Sequence, residues 1–388
     1  MQMVHSRFNA LLSACVLSLI ATAGWSQSIT WLGTLPGGSE SWAYGVSADG
    51  VVVVGWYYIL AGQWRAFRWT ASGGMQDLGV LGGYQSEAYG VSADGRVVVG
   101  KTSSSVGWRA FRWSSLSSSM RDLGVLPGGN QSEAYAVSAD GAVVVGRSYN
   151  NSNQPRAFRW TASGGMRDLG VLSGYSFSEA YAVSADGAVV VGRSYNNSNQ
   201  PRAFRWESGV MQDLGALPGG NWSAAYGVSA NGAVVVGWAR NSAGQDRAFR
   251  WTASGGMEDL GTPPGYDRSW AYAVSADGAV VVGWAVGTLG WDNCAFRWTA
   301  SGGMEDLNTT YASLLRGSAL WEARAISPDG RYIVGRGYNA ATHRIEAFLL
   351  DTRGGSTLCT LDGDVNGDGI VDDADLLEVL FNFGSQCP

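Results

Sequence analysis

This chain of 388 residues has few histidines and no excess of positive charge. The histidines are His5, in the N-terminal leader, and His343, so a histidine-based triad would rest on one residue in a variable loop. The net charge is −6, but residues 362–388 hold seven acidic side chains and no Lys or Arg, which leaves +1 for the remainder. The body therefore has no basic face, and we expect no nucleic-acid partner.

Cysteine is also rare, with four residues in the whole chain. Cys15 falls in the leader, whereas Cys359 and Cys387 bracket the C-terminal segment and could form a disulfide in an oxidising compartment. Cys294 replaces an arginine of the repeat described below, and no histidine is near it in sequence to activate a thiolate. We expect Cys294 to be a small buried hydrophobe.

Long apolar runs are absent after the first 26 residues. That segment has a basic start, an apolar run over 10–23, and small residues at Ala21 and Ala23, which is typical of a secretory signal peptide. No later stretch approaches the roughly 18 apolar residues that a bilayer-spanning helix needs. We therefore expect a protein without a membrane span that is secreted, held at the cell surface or kept in the periplasm.

An internal repeat dominates what is present. A Ser-Ala-Asp-Gly turn, with small variations, recurs seven times at steps of 45, 46, 46, 45, 46 and 52 residues. Its acidic or amide residue stands at Asp49, Asp94, Asp140, Asp186, Asn231, Asp277 and Asp329. A constant step of this size predicts stacked supersecondary units.

One unit, residues 132–174, divides into four short strand-like segments bounded by turn residues. The second segment is a valine run, which predicts a strand covered on both faces. Asp140-Gly141 joins the first two segments as a tight hairpin turn. No convincing helical pattern occurs before residue 373. Four strands of about five residues with short turns fill a period of about 46 residues.

Seven four-stranded units predict an all-β fold, a seven-bladed β-propeller. The segment from Thr30 corresponds to the fourth strand of a unit, whereas the last copy ends after its third strand at Leu350. We therefore expect an N-terminal strand to complete blade seven and close the ring. The predicted divisions are a signal peptide at 1–26, the propeller at 28–352, a linker at 353–363 and a C-terminal segment at 364–388.

The repeated sequences Ala-Phe-Arg-Trp, Asp-Leu-Gly and Val-Ser-Ala-Asp-Gly resemble the HAF repeats of exported bacterial proteins. Those repeats are named for a His-Ala-Phe core, whose histidine is replaced here by arginine, as in Arg156-Ala157-Phe158. The resemblance spans about residues 30–350 and implies export and a propeller-like fold, but no defined activity. In period and closure the chain is also similar to kelch and WD-repeat propellers.

Two sets of loops differ between the copies. The Ser-Ala-Asp-Gly and Thr-Ala-Ser-Gly-Gly turns are nearly uniform, whereas the loops at the opposite ends of the strands vary and are rich in aromatics. The aromatics of the blade-to-blade loops are Tyr84, Tyr175, Phe177, Trp222 and Tyr266. We expect any specific ligand, such as a carbohydrate, on this variable face. The alternative is that these aromatics only cover sheet edges.

Four glutamates, Glu87, Glu133, Glu179 and Glu322, precede the first strands of their units. They could meet at the channel mouth as acid–base or cation-binding groups, or be solvated turn residues beside an ion-pairing partner. Residues 132–160 and 178–206 are identical over 29 positions, so these blades have no distinct catalytic roles. We expect a non-enzymatic binding or display scaffold. The alternative is a protein that binds or degrades polysaccharides.

The C-terminal segment has the spacing of an EF-hand calcium loop. Gly369 stands at loop position 6, where the chain must bend sharply. The expected ligands, at positions 1, 3, 5, 7, 9 and 12, are Asp364, Asn366, Asp368, the Ile370 carbonyl, Asp372 and Asp375. With aspartate at position 12, the segment resembles one half of a type I dockerin. That resemblance implies calcium and a cohesin-like or cell-surface partner, and the alternative is a calcium-stapled cap.

Overall fold

Every repeat folds as one four-stranded antiparallel sheet. The computed structural model describes residues 27–59, 62–288 and 292–353, in which seven such sheets occur. Ile29–Thr352 form one compact unit. The prediction of an all-β, seven-bladed propeller is confirmed. The predicted signal peptide 1–26 and calcium segment 364–388 lie outside the described residues, as does the linker 353–363 apart from Arg353.

The strands are numbered along the chain, and β1 is Ser28–Trp31. Blade one has β2 (Gly38–Val46), β3 (Val52–Ile59), β4 (Gln63–Thr70) and β5 (Gly74–Asp77). Blade two has β6 (Ser86–Val91), β7 (Val97–Ser104), β8 (Gly107–Ser114) and β9 (Ser119–Asp122). Blade three has β10 (Ser132–Val137), β11 (Val143–Tyr149), β12 (Pro155–Thr161) and β13 (Gly165–Asp168). Blade four has β14 (Phe177–Val183), β15 (Val189–Tyr195), β16 (Pro201–Glu207) and β17 (Val210–Asp213).

The remaining blades follow the same pattern. Blade five has β18 (Ser223–Val228), β19 (Val234–Arg240), β20 (Asp246–Thr252) and β21 (Gly256–Asp259). Blade six has β22 (Arg268–Val274), β23 (Val280–Val286), β24 (Asn293–Thr299) and β25 (Gly303–Asp306). Blade seven has β26 (Ala319–Ile326), β27 (Tyr332–Asn339) and β28 (Arg344–Asp351). Its fourth strand is β1, because β1 pairs with β28 in the same sheet.

The closing joint repeats the joints between the other blades. At a typical joint, the buried Ser132 Oγ accepts from the Ala110 amide at 3.0 Å and donates to the Gly124 carbonyl at 2.6 Å, which ties blade three to blade two. At the closing joint, Ser41 Oγ makes the equivalent bonds to Ala347 and Gly33 at 2.9 and 2.6 Å. The closing joint therefore uses the same serine hydrogen bonds as the typical joint.

The hydrophobic cores lie between neighbouring blades. One cluster joins Val97 and Val99 of blade two to Val144, Phe158 and Trp160 of blade three. The middle valines of the second strands are inaccessible to solvent, as the continuous valine run predicted. Because each core needs two blades, the ring is stabilised by closure and no blade is complete alone.

The expectation of no helix before residue 373 is wrong at one place. Two single-turn helices, α1 (Leu307–Thr310) and α2 (Ala312–Leu315), lie between blades six and seven and account for the longer final step of 52 residues. The Asp306 side chain caps α1 by accepting from the Asn308 amide at 2.8 Å. Asn308 also bonds both backbone groups of Leu320, so it replaces the joint serine that blade seven lacks.

The repeated turn is the tight hairpin that its sequence predicts. In blade three, Asp140 Oδ1 accepts from Ser138 Oγ at 2.6 Å and from the Ala142 amide at 2.9 Å, and Gly141 has φ +74°. The turns of successive blades are also joined to one another by backbone hydrogen bonds, as from the Ala93 amide to the Ala139 carbonyl at 3.0 Å. The uniform turns thus form a structural face.

Candidate functional site in the central channel

A β-bulge in the first strand of every blade directs one side chain into the central channel. In blade three, Ala134 pairs with Gly146 and Ala136 with Val145, so Tyr135 has no partner in the register. The bulge brings the Glu133 carbonyl so close that a Cβ at Gly146 would lie 1.9 Å from its oxygen. The glycine that follows the valine run of the second strand is therefore required by the bulge.

The bulged residues form a ring around the channel. They are Tyr44, Tyr89, Tyr135, Tyr181, Tyr226, Tyr272 and Arg324. Neighbouring tyrosine rings have centroids 5.0 to 5.7 Å apart. The Arg324 guanidinium completes the circle, 4.2 Å from the Tyr272 centroid and 5.3 Å from that of Tyr44.

Next to the tyrosines, on the side of the variable loops, a network of ion pairs runs through three blades. We call it the charged arc, and its members are Glu87, Lys101, Glu133, Arg147, Glu179 and Arg193. Lys101 Nζ lies 3.2 Å from Glu87 and 3.7 Å from Glu133. Arg147 lies 2.8 Å from Glu133 and 2.5 Å from Glu179, so each of these two cations bridges two blades.

These glutamates are buried on strands and are not solvated turn residues. Glu133 is 5% exposed and Glu179 is 3% exposed, so that part of the expectation is wrong, whereas the ion-pairing partners are present. The tyrosine hydroxyls bind the same carboxylates, with Tyr135 donating to Glu133 at 2.9 Å and Tyr181 to Glu179 at 2.5 Å. Such burial is tolerated because every carboxylate in the arc has charged and hydrogen-bonding partners.

The pKa shifts in the arc follow from burial and charge. Burial by itself would raise the pKa of Glu179, but Arg193 and Arg147 outweigh it and lower that pKa below its ordinary value. Burial, reinforced by Glu133, raises the pKa of Tyr135 well above the ordinary value for tyrosine. Glu179 is thus ionised and Tyr135 neutral at physiological pH.

A second charged group, the blade-seven cluster, consists of Glu322, Arg324 and Arg336. Both arginines contact the Glu322 carboxylate, which is 3% exposed. The Arg336 guanidinium also lies 3.6 Å from the Trp42 ring centroid in blade one. The cluster therefore has two cations for one carboxylate.

Indoles replace the ion pairs in blades one and six. Trp42 stacks on Trp56, and Trp270 on Trp284, with centroids 4.6 Å apart in each pair. These four residues occupy the register positions of Glu133 and Arg147 in blade three. The circle next to the tyrosines thus alternates between charged and aromatic sections.

The channel contains a cavity of about 650 Å³. Its wall includes the tyrosine ring, Arg324, and the apolar side chains that follow the ring along the first strands. These apolar residues are Val46, Val91, Val137, Val228, Val274 and Ile326. Because the first strands end at the Ser-Ala-Asp-Gly turns, this apolar part of the cavity lies on the side of the uniform turns and not on the variable side.

The variable-face aromatics have mixed surroundings. Tyr84 is 72% exposed, whereas Tyr175 and Tyr266 pack against interblade cores and cover sheet edges. Trp222 lies under the Arg240 guanidinium at 3.9 Å. The variable face therefore presents less free aromatic surface than its sequence predicts.

The remaining candidate residues do not form a reactive group. Cys294 is inaccessible to solvent, and burial raises the pKa of its thiol to about 12. His343 Nδ1 lies 2.9 Å from the Tyr338 hydroxyl. Residues 27–59, 62–288 and 292–353 contain no group of three His, Cys, Asp or Glu arranged to hold a metal, and none of their helices could cross a membrane. The expected calcium ligands lie outside these ranges.

Many solved structures share the fold of this chain. Neither a protein-family model nor a curated protein matches the chain. Oligogalacturonate lyase from Vibrio parahaemolyticus superposes with a TM-score of 0.56 at 10% identity, over 84% of this chain and 93% of that one. The propeller domain of the Trilobed protease from Pyrococcus furiosus, described as having an open velcro topology, gives 0.50 at 11% identity over 80% and 96%. At these identities the likeness shows the fold alone.

Proposed function

We propose that this propeller is a non-enzymatic binding scaffold whose ligand occupies the central channel. The observation that carries the proposal is the full pairing of the charged arc, where Glu133, for example, is held by Lys101, Arg147 and Tyr135. General acid–base catalysis needs a group that exchanges its proton near the working pH. Although burial alone would raise the pKa of Glu179, Arg193 and Arg147 lower it, so this carboxylate remains ionised and suits interblade bonding better than turnover.

The cavity supports the binding part of this proposal. A volume of about 650 Å³ falls in the range of small-molecule sites, which are mostly apolar with a few fixed polar groups. The wall here combines aromatic rings, valines and a small number of charges. A rigid ring of blades would present this wall without reorganisation when a ligand binds.

We also propose that the scaffold acts outside the cytoplasm. The signal-peptide pattern of residues 1–26 and the likeness of the units to HAF repeats support secretion or display at the cell surface. The near-neutral repeat body suits a neutral or weakly acidic ligand better than a polyanion such as nucleic acid.

For the tail, we propose calcium binding by the ligands Asp364, Asn366, Asp368, Ile370, Asp372 and Asp375, followed by docking to a cohesin-like partner or capping of the chain. Calcium titration of the full chain should give one saturable site that Asp368→Ala removes. Asp362→Ala, just outside the loop, should leave it intact. Equal calcium binding by Asp368→Ala and the wild type would remove the calcium proposal.

A second candidate function is the binding or degradation of polysaccharides. The observation that favours it is the presence of two indole stacks, since sugar rings pack well on aromatic faces.

The two candidates separate in one experiment. The full chain is incubated with insoluble and soluble polysaccharides, and both retention and newly formed reducing ends are measured. The scaffold proposal predicts no release of reducing ends, with or without retention. Turnover that Glu133→Gln or Glu322→Gln abolishes, and that Arg156→Met, outside the channel, leaves intact, would establish an enzyme and contradict the scaffold.

A further inference from the structure

Arg324 breaks an otherwise uniform ring. The equivalent position is tyrosine in the other six blades, and in blades two, three and four its hydroxyl binds the glutamate two residues earlier, as Tyr135 binds Glu133. Arg324 instead sits between the faces of Tyr272 and Tyr44 and reaches back to Glu322. A cation at this one position is not needed for the fold, because six blades form the same bulge without it.

The charges in blade seven do not balance. The charged arc has three carboxylates and three cations, each cation touching at least one carboxylate. Blade seven has one carboxylate, Glu322, and two arginines in contact with it. Because cations and carboxylates are equal in number in the arc but two arginines share one carboxylate in blade seven, Arg324 supplies an excess positive charge in a mostly buried place.

Arg324 also has an unused donor. Its Nε is buried and has no hydrogen-bond partner among the residues that the structure describes. Arg147 has an unbonded Nε too, but both of its amino groups are held by glutamates from two blades. Arg324 has one carboxylate only and, with 22% of its side chain exposed, lines the cavity. An anionic acceptor brought by a ligand would meet the positive charge from the exposed part of this side chain.

The wall beyond Arg324 indicates what else the ligand carries. Tyr44 and Tyr272 flank the guanidinium, and Val46 and Ile326 continue the wall toward the uniform turns. The other charges at the cavity, Lys101, Glu133 and Arg147, belong to the balanced arc. The cavity is therefore lined by apolar and aromatic side chains, and its wall includes one cation that shares its only carboxylate with a second arginine.

We propose that the channel binds a small carboxylate ligand, with the carboxylate on Arg324 and a ring-shaped body against the tyrosines and valines. This inference rests on the proposed function and names the chemical class of its ligand. A carboxylate matches the fork of the guanidinium and restores charge balance in the blade. The body could come from an aromatic acid or from a sugar acid, because both present a flat face to the wall.

The test is calorimetric titration of the full chain with benzoate and glucuronate, each beside its neutral analogue, benzyl alcohol and glucose. The wild type should bind at least one acid about tenfold or more tightly than its analogue, which corresponds to about 1.4 kcal/mol. Benzoate alone would identify an aromatic acid as the ligand class, and glucuronate alone a sugar acid. The inference fails if neither acid binds more tightly than its analogue.

Variants locate the site. Arg324→Tyr restores the residue of the other blades and should fold, yet lose about tenfold or more in acid affinity. Arg324→Lys keeps the charge without the fork and should lose less. Arg156→Met removes the same charge outside the channel and should bind as the wild type.

Unchanged affinity in Arg324→Tyr would overturn the inference. Binding of neutral analogues that ignores Arg324 would leave the channel proposal standing, and failure of every compound and polysaccharide would defeat both.

Discussion

The charged arc and the blade-seven cluster use the same residue types in different ways. In the arc, Arg147 bridges two carboxylates from adjacent blades, and Tyr135 adds a hydroxyl. In blade seven, two arginines share Glu322, and one of them stands where a tyrosine would be. The arc has equal numbers of cations and carboxylates, whereas the cluster has one cation in excess.

This difference separates a structural role from a functional one. A buried charge that is fully paired is retained at little net cost, but an unpaired one is expensive. Because every charge in the arc has a partner of opposite sign, we assign the arc the role of joining blades two, three and four. Excess charge in a solvent-reachable cavity indicates a place prepared for a ligand.

The largest expected effect is in the arc. Arg147→Met leaves Glu133 and Glu179 without their shared cation, and we expect a loss of about 3–5 kcal/mol in the free energy of unfolding by urea titration. The matched control is Arg156→Met, because its partner Asp168 is 4.0 Å away and largely exposed, and it should cost less than about 1 kcal/mol. Equal losses in the two variants would refute the structural role of the arc.

A smaller effect should distinguish a tyrosine next to the charged arc from a tyrosine next to an indole. Tyr135→Phe removes a hydrogen bond to a buried carboxylate and should cost about 1.5–3 kcal/mol. Tyr226→Phe removes only an acceptor for the Trp238 indole, at 3.2 Å, and should cost about 1 kcal/mol. Urea unfolding of both variants checks the order, and a greater loss in Tyr226→Phe would contradict it.

The smallest effect is a pH dependence. The pKa of Glu179 is lowered in the folded protein, so its stabilisation is complete above the unfolded-state pKa of roughly 4.3 and is lost as pH falls through the lower folded value. The difference in unfolding free energy between wild type and Glu179→Gln should thus be constant from pH 7 to pH 5 and shrink below about pH 4. A difference that stays constant down to pH 3 would show that the carboxylate is not stabilised as an anion.

Much of the architecture could be predicted from the sequence because the repeat reports it directly. The period, the Asp-Gly turns and the offset ends were enough to predict seven blades and an N-terminal closing strand, since each depends on local chemistry. The helices after Asp306 could not be predicted, because four-residue helices carry no periodic signal.

The site was harder to predict because it depends on pairing across blades. Two signals were available: the glycine that follows each valine run, which accommodates the bulge, and the constant spacing of 14 residues between Glu133 and Arg147 or Glu179 and Arg193. They indicate a cross-strand pair, but not that Arg147 also reaches Glu179 in the next blade. That contact is set by the twist and packing of whole sheets.

The most direct test of the account is the unfolding free energy of Arg324→Tyr with and without the acid that binds the wild type more tightly. Without the acid, the variant should be as stable as the wild type or about 1 kcal/mol more stable, since a buried unbonded donor is removed and the new hydroxyl can reach Glu322. At a hundred times Kd, the acid should stabilise the wild type by about 2.7 kcal/mol and the variant hardly at all. A less stable variant that the acid stabilises equally would show that Arg324 is structural and that its charge is not prepared for a ligand.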